Sequence, residues 1–408
     1  MAHPLPHTVP PRTWVICLTA GLALAVAMGI GRFAFTPLLP LMHAEGLVDD
    51  RGGAWLAAAN YLGYLLGALT AAWLPVRPRT QVLVSLLATA ALTAGIAVLP
   101  GMHGWIAMRL AAGVVSAWTL VAASSWAVST LALRHRSDAA GGVFAGVGLG
   151  IAGAGAWVWW HADQGAPALW QQLGWIALAV TVLVACCWPR SELQTAQRPS
   201  GEAAPAMPVE RDTLLMVLCY GTLGFGYILP ATYLPAVARE LIGDPRQFGL
   251  VWPVFGLAAA CSTLLAGRAL RRWSGRQIWA TSHVLMALGC ALPLFSRSGI
   301  AITGAALLVG GTFMVATMTG LQEARHAMPG NPAPLLARMT TAFALGQIAG
   351  PLLALAFSRV PSQWLGLTGV PLAQALAVAL LLASARWLYR FPSHSEHAHD
   401  IHPTRSPH

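Results

Sequence analysis

Apolar runs of about 20 residues, the length of helix that crosses about 30 Å of hydrocarbon, recur along the whole chain with short polar breaks between them. Twelve are present, near 14–41, 54–74, 80–99, 105–131, 140–160, 170–188, 213–238, 248–267, 277–295, 300–321, 335–357 and 366–389. Most breaks hold Gly, Pro, Arg or Asp, residues suited to backbone that leaves a helix and meets water. The longest break, 189–212, is polar and divides the spans six and six. The pattern predicts an all-α integral membrane protein with twelve transmembrane helices in two six-helix bundles. Residues 1–188 form the first bundle, 189–212 a cytoplasmic linker, 213–390 the second bundle and 391–408 a His-rich tail.

Composition agrees. Of 408 residues, 56% are hydrophobic and only 9% charged, whereas a soluble domain carries about 25% charged residues to solvate its surface. Lipid must therefore solvate much of the exterior. All 24 basic residues are arginine and the formal net charge is +10. They are scattered through short loops, not gathered in a patch, so no nucleic-acid partner is expected. Placing the N-terminus in the cytoplasm puts 17 arginines in inner segments and 5 in outer loops, with Arg32 and Arg109 inside spans. That bias accounts for the charge and predicts both termini on the cytoplasmic side of a bacterial inner membrane. Trp14, Trp55, Trp105, Trp159 and Trp188 lie near predicted span ends, where an amphipathic ring suits the headgroups. The first span exceeds a signal-peptide core and has no small-residue cleavage site before Gly29, so it is expected to be retained. The six cysteines lie in apolar runs, as small core residues do.

The two halves carry a repeat. Gly29-Ile-Gly-Arg-Phe33 ends at Pro40, and Gly224-Phe-Gly-Tyr-Ile228 ends at Pro235, each glycine eleven positions before its proline and 195 residues apart. Tandem six-helix halves related by an axis along the membrane normal produce such a match.

The run from Gly29 through Arg32, Phe35, Thr36 and Pro40 to Met42, the segment Ala59-Asn-Tyr-Leu-Gly-Tyr-Leu-Leu-Gly67 and the segment Ala342-Phe-Ala-Leu-Gly-Gln-Ile-Ala-Gly-Pro351 resemble the YbfB-like branch of the major facilitator superfamily (MFS). The resemblance covers both halves and implies that fold and a transport function, with no substrate attached. Arg109-Leu-Ala-Ala-Gly113 resembles the arginine-and-glycine motif of the superfamily's fourth helix. Gly267-Arg-Ala-Leu-Arg-Arg-Trp-Ser-Gly-Arg276 resembles its glycine-acid-arginine loop, with Arg271 where an acid is expected, so the ion pairs usual to that loop are not predicted.

Chemistry in such a chain rests on polar groups inside the membrane. A charge at mid-bilayer costs about 3 kcal/mol or more and is kept where it faces a cavity or a partner. Arg32 lies in the glycine-rich part of the first span, and on an α-helix Met28, Gly29, Phe35 and Thr36 share its face. It either anchors an anionic group in a bidentate fork or locks the helix through a carbonyl or ion pair. Asn60 and Tyr64, four apart on the second span, Tyr61, Tyr227 at the repeat position of Arg32, and Gln347 are further candidates to line the substrate site. Arg109 is placed nearer the outer surface, where it could snorkel, with a coupling or a structural role. The fourteen acidic residues fall in loops or at span ends. Glu323 comes nearest to an internal position, at the end of a stripe with Thr312, Ala316 and Thr319. It reads as a solvated helix-end charge or a coupling group. Gly142, Gly146 and Gly150 at spacing four predict close helix contact, and Gly346, Gly350 and Pro351 predict a flexible, kinked eleventh span. His283 is expected to be packed, and the tail histidines are expected to be solvated.

The favoured function is a secondary transporter, working as a monomer in lipid, that moves a small organic solute, expected to be an anion, by alternating access. The alternative within the fold is efflux of neutral or cationic hydrophobic compounds, against which a buried arginine argues because it repels cations. A membrane-embedded enzyme would need a cluster of His, Asp or Glu. The sequence offers no HExxH, paired carboxylates or phosphate-binding loop, so no metal or cofactor is expected. A sensor would need a signalling domain. Orientation is checked by reporter fusions: a fluorescent protein at His408 and in the 189–212 linker should fluoresce, and a periplasm-dependent phosphatase at those points should be inactive.

Overall fold

A computed structural model describes residues 12–71, 74, 76–99, 101–136, 139–189, 211–241, 249–270, 272–296, 298–328, 333–359 and 366–390. Most of the linker, the His-rich tail and Arg271 lie outside the described residues. Within them are twelve long helices: α1 (Thr13–Ala44), α2 (Asp50–Thr70), α3 (Pro78–Val98), α4 (Met102–Ala132), α5 (Ala140–Trp160), α6 (Ala166–Cys187), α7 (Arg211–Leu241), α8 (Val251–Ala269), α9 (Gly275–Phe295), α10 (Gly299–Ala327), α11 (Ala333–Phe357) and α12 (Gly369–Arg390). Eleven are long and apolar enough to cross a membrane. The exception is α2, which carries Asp50, Arg51, Asn60, Tyr61 and Tyr64. Helix starts follow ordinary capping chemistry. Asp49 accepts from the Gly52 N–H at 2.7 Å, Ser274 forms a reciprocal capping box with Gln277, and Ser298 accepts from Ala301.

Small residues set how closely the helices approach, since lipid provides no hydrophobic force to drive helices together. The α5 stripe predicted from spacing packs on α1: Gly142, Gly146 and Gly150 lie against Cys17, Gly21 and Ala25. A second stripe on α5 faces the other half of the molecule, with Gly141 against Thr263, Gly148 against Gly256 and Ala260, and Gly155 against Trp252 and Pro253 of α8. In the second half, Gly224 and Gly346 do for α7 and α11 what the first stripe does for α1 and α5. The six-helix halves meet along two main seams, α5 with α8 and α2 with α11, and the second part of α1 also touches α7.

One segment departs from regular α-helix. Ala25–Phe33 within α1 is wound as a π-helix, and Phe35–Ala44 resumes the α-helical turn. Its wider turn, closed by i→i+5 bonds, shifts which side chains share a face. The face assigned to Arg32 on an ideal α-helix therefore does not hold.

The glycine contacts make a sign prediction. A Cβ on Gly146 would meet the backbone of Gly21, whereas one on Gly153 meets nothing within 4 Å. Gly146→Val should cost about 1–3 kcal/mol by overpacking and lower the unfolding midpoint in detergent. Gly153→Ala should leave it unchanged or raise it, by up to about 1 kcal/mol.

Candidate functional site

Arg32 sits in the π-helical segment with 2% of its surface exposed. Its Nη2 donates to Gln347 Oε1 of α11 and lies 3.5 Å from the Tyr227 hydroxyl of α7, while Gln347 Nε2 donates to that same hydroxyl. A first-half arginine is thus tied to two second-half residues. Arg32 and Tyr227 occupy equivalent positions of the repeat, 195 residues apart, and residues related by a twofold axis touch only where both lie beside it. The guanidinium carbon stands 4.0 Å from the centre of the Tyr64 ring, with Tyr61 and Phe33 rings at 5.5 and 5.4 Å, a stabilising arrangement for a desolvated cation. Arg32 Nε and Nη1 have no hydrogen-bond partner among the described residues, and no described carboxylate is within ion-pair distance of it.

Rings form the rest of the wall. Tyr227 stacks between Phe313 and Phe343, centroids 5.2 and 5.5 Å away and planes 11° and 12° apart. Phe33 stands 6.3 Å from both Trp252 and Phe313. The Tyr61 hydroxyl and Thr232 Oγ1, 2.9 Å apart, link α2 to α7 across the halves.

Arg109 corrects the sequence expectation of a guanidinium snorkelling outward. It is 2% exposed and reaches into α1, where Nη1 donates to the Gly31 carbonyl and Nη2 to the Arg32 carbonyl, both at 3.2 Å. The Ser116 hydroxyl lies 2.8 Å from the Ala27 carbonyl and 2.7 Å from that of Ala112, so its one proton is shared between them. These α4 groups serve carbonyls of the π-helical segment, and Gly31 makes the approach possible: a Cβ there would lie 2.9 Å from Ser116 Oγ. Asn60 Nδ2 in turn donates to the Arg109 carbonyl at 2.9 Å. Phe35, expected beside Arg32, lies instead under the Arg109 guanidinium at 4.7 Å. Thr36 is buried.

Glu323 is also not the solvated helix-end charge expected. It is 3% exposed and is the one buried carboxylate among the described residues. Arg276 Nε lies 3.4 Å from Glu323 Oε2, and Arg276 Nη2 lies 2.7 Å from Asp212 Oδ2. The loop at Arg276 therefore does enter ion pairs. The acids come from the start of α7 and the end of α10, not from the loop itself, which is why the loop motif did not predict them. A Cβ on Gly275 would crowd the Glu323 carboxylate and force it to shift from its place beside Arg276. Gly350 packs on Ile228 of α7, and Pro351 lies inside α11, which continues past it. His283 is packed as expected. Trp279 Nε1 donates to its Nε2 at 2.9 Å, so the proton sits on Nδ1, 2.8 Å from Ser384 Oγ.

Of the residues predicted for the site, Arg32, Tyr64, Tyr227 and Gln347 come together directly, and Asn60 reaches them through Arg109. Thr232, Trp252, Phe313 and Phe343 were missed. An aromatic residue in a span carries no signal that separates a site wall from a packed core, and Trp252, near the start of its span, has the sequence position of a headgroup anchor.

Two six-helix halves around a buried polar centre at their common axis define a transporter of the MFS type. A sequence profile described as "Uncharacterised MFS-type transporter YbfB" matches residues 24–385, and the chain belongs to that family. No curated protein matches it by sequence. Among solved structures, it is similar to the nucleoside transporter NupG, with a TM-score of 0.69 and 12% identity over 92% of this chain and 99% of that one. It is equally similar to a D-xylose–proton symporter, with a TM-score of 0.69 and 12% identity over 93% and 98%. At that identity the likeness is one of fold.

The Arg109 clamp predicts an effect on stability. Arg109→Gln removes the guanidinium donors from two buried carbonyls, each loss costing about 1–3 kcal/mol, so unfolding in detergent should shift down by about 2–6 kcal/mol. Arg109→Lys keeps the charge but not the planar fork and should recover less than half of that.

Proposed function

We propose that this protein is a secondary active transporter carrying a small organic anion across the cytoplasmic membrane by alternating access, with both termini on the cytoplasmic side. The supporting observation is the state of Arg32: a guanidinium buried at the meeting line of the halves, with Nε and Nη1 unpartnered and no carboxylate beside it among the described residues. A charge held in the membrane without a counter-charge is costly, and an anionic solute supplies one. Gln347 and Tyr227 are neutral, so they hold Arg32 in place without neutralising it.

The moving parts in this proposal are the seams and the clamp. Arg109 keeps α1 in the form that presents Arg32, Glu323 ties α9 to α10 near one membrane face, and Gly350 with Pro351 lets α11 flex as the halves part. The solutes named for the two structural neighbours, a nucleoside and D-xylose, are not carried over, because a likeness at 12% identity is one of fold alone.

The test is a thermal-shift screen of purified wild type and Arg32→Gln against small carboxylates, neutral compounds and lipophilic cations. A carboxylate should raise the wild-type midpoint, corresponding to about 2.7 kcal/mol at a hundredfold excess over Kd, and the variant should lose the shift. Stabilisation by cations or neutral compounds alone, or an unchanged response in the variant, would replace this function with efflux of hydrophobic compounds.

A further inference from the structure

We infer that the anion is an aromatic monocarboxylate, a planar ring with one carboxylate and few other polar groups; this rests on the anion function proposed above and narrows it. The first consideration is charge. A guanidinium presents two forks to a carboxylate, Nε with Nη2 and Nη1 with Nη2, and Nη2 belongs to both. Here Nη2 is held by Gln347 and faces Tyr227, while Nε and Nη1 are unpartnered among the described residues. A bidentate carboxylate therefore has to evict the Gln347 amide oxygen, exchanging a neutral acceptor for a charged one, which forms the stronger hydrogen bond. The same exchange cuts the tie from Arg32 to the second half, so binding and release of the halves are linked.

One carboxylate is all the site can hold in a fork. Arg109, the other arginine buried within the first six helices, already spends both terminal nitrogens on the Gly31 and Arg32 carbonyls. It keeps its charge but has only Nε to offer, so the second carboxylate of a dicarboxylate would find no bidentate partner.

The second consideration is what lines the space beyond the carboxylate. Phe33, Tyr64, Tyr227, Trp252, Phe313 and Phe343 are all buried. Asn60 Nδ2 is committed to the Arg109 carbonyl and the Tyr61 hydroxyl to Thr232, whereas Asn60 Oδ1 and Trp252 Nε1 have no partner among the described residues. A sugar carries more hydroxyls than these two atoms can meet, and each one left over would cost about 1–3 kcal/mol. A flat ring instead gains by stacking or edge contact with walls of its own kind. Phe33 comes from the first half and its ring neighbours Trp252 and Phe313 from the second, so parting the halves exposes ring surface at that contact, while Tyr227 stays stacked between Phe313 and Phe343.

The experiment measures binding of benzoate, acetate, succinate, D-xylose and uridine to the purified full-length protein by thermal shift, with dissociation constants from ligand titration. Benzoate should bind about tenfold or more tighter than acetate, a difference of about 1.4 kcal/mol, and succinate, D-xylose and uridine should give no shift. In Phe313→Leu and, separately, Phe33→Leu the benzoate-to-acetate ratio should fall towards one. The wild-type ratio decides the class even if either variant fails to fold. Acetate or succinate binding as tightly as benzoate, or an unchanged ratio in both folded variants, overturns the aromatic class while leaving an anion site standing. A shift with D-xylose or uridine and with no anion overturns both, as does no shift with any probe.

Discussion

Inside a bilayer a backbone carbonyl that leaves the α-helical ladder has no water to turn to, and it must be met by a donor from the protein. In the π-helical segment Ala25–Phe33 of α1, the i→i+5 partner of the Arg32 carbonyl would be Pro37, which has no N–H, and the Arg109 and Ser116 side chains of α4 donate to the Arg32, Gly31 and Ala27 carbonyls. The position of Arg32 follows from this constraint. Without the widened turn, Arg32 would point elsewhere around the helix. Glycine at position 31 is what lets α4 approach closely enough to serve the carbonyls.

Charge placement then separates the two membrane depths. At the centre, two arginines stand without carboxylates among the described residues, one satisfied by backbone oxygen and ring faces, the other by an amide and ring faces. Near the face of the membrane where α1 begins, Arg276 takes two carboxylates, Asp212 and Glu323, as a conventional ion-paired lock. An ion pair suits a contact that must hold its geometry, because removing either partner strands a charge. A cation held by neutral side chains can exchange those partners at small cost, which is what the function proposed above asks of Arg32.

The same small residues that let helices approach also decide where the halves touch. On α5, glycines at spacing four lock the helix to α1 within its own half, while glycines at spacing seven lie on α8 of the other half. Small side chains interlock little, so the second stripe forms a seam along which two rigid bodies can separate. The Tyr61–Thr232 and Arg32–Gln347 bonds cross elsewhere along the same division, and both join polar groups whose bonds can be remade.

Much of this was legible in the chain before any fold was known. The length of apolar runs is dictated by the thickness of hydrocarbon, so twelve spans and their six-plus-six division followed directly, as did the stripe on α5, because spacing on a helix is geometry. The repeat of Gly29 and Gly224 pointed to Tyr227 opposite Arg32, and the two meet. What the sequence could not decide was any property that depends on a neighbouring helix. Ala25–Phe33 winds as π where its carbonyls meet donors 77 to 89 residues away on α4, and with that winding went the face Arg32 shares and the partner of Phe35. Whether Arg109 reaches solvent or α1, and whether Glu323 meets water or Arg276, were likewise set by what packs against them. Local spacing determines which residues share one helix, and only tertiary packing, by removing water and supplying distant partners, determines which polar groups end up together.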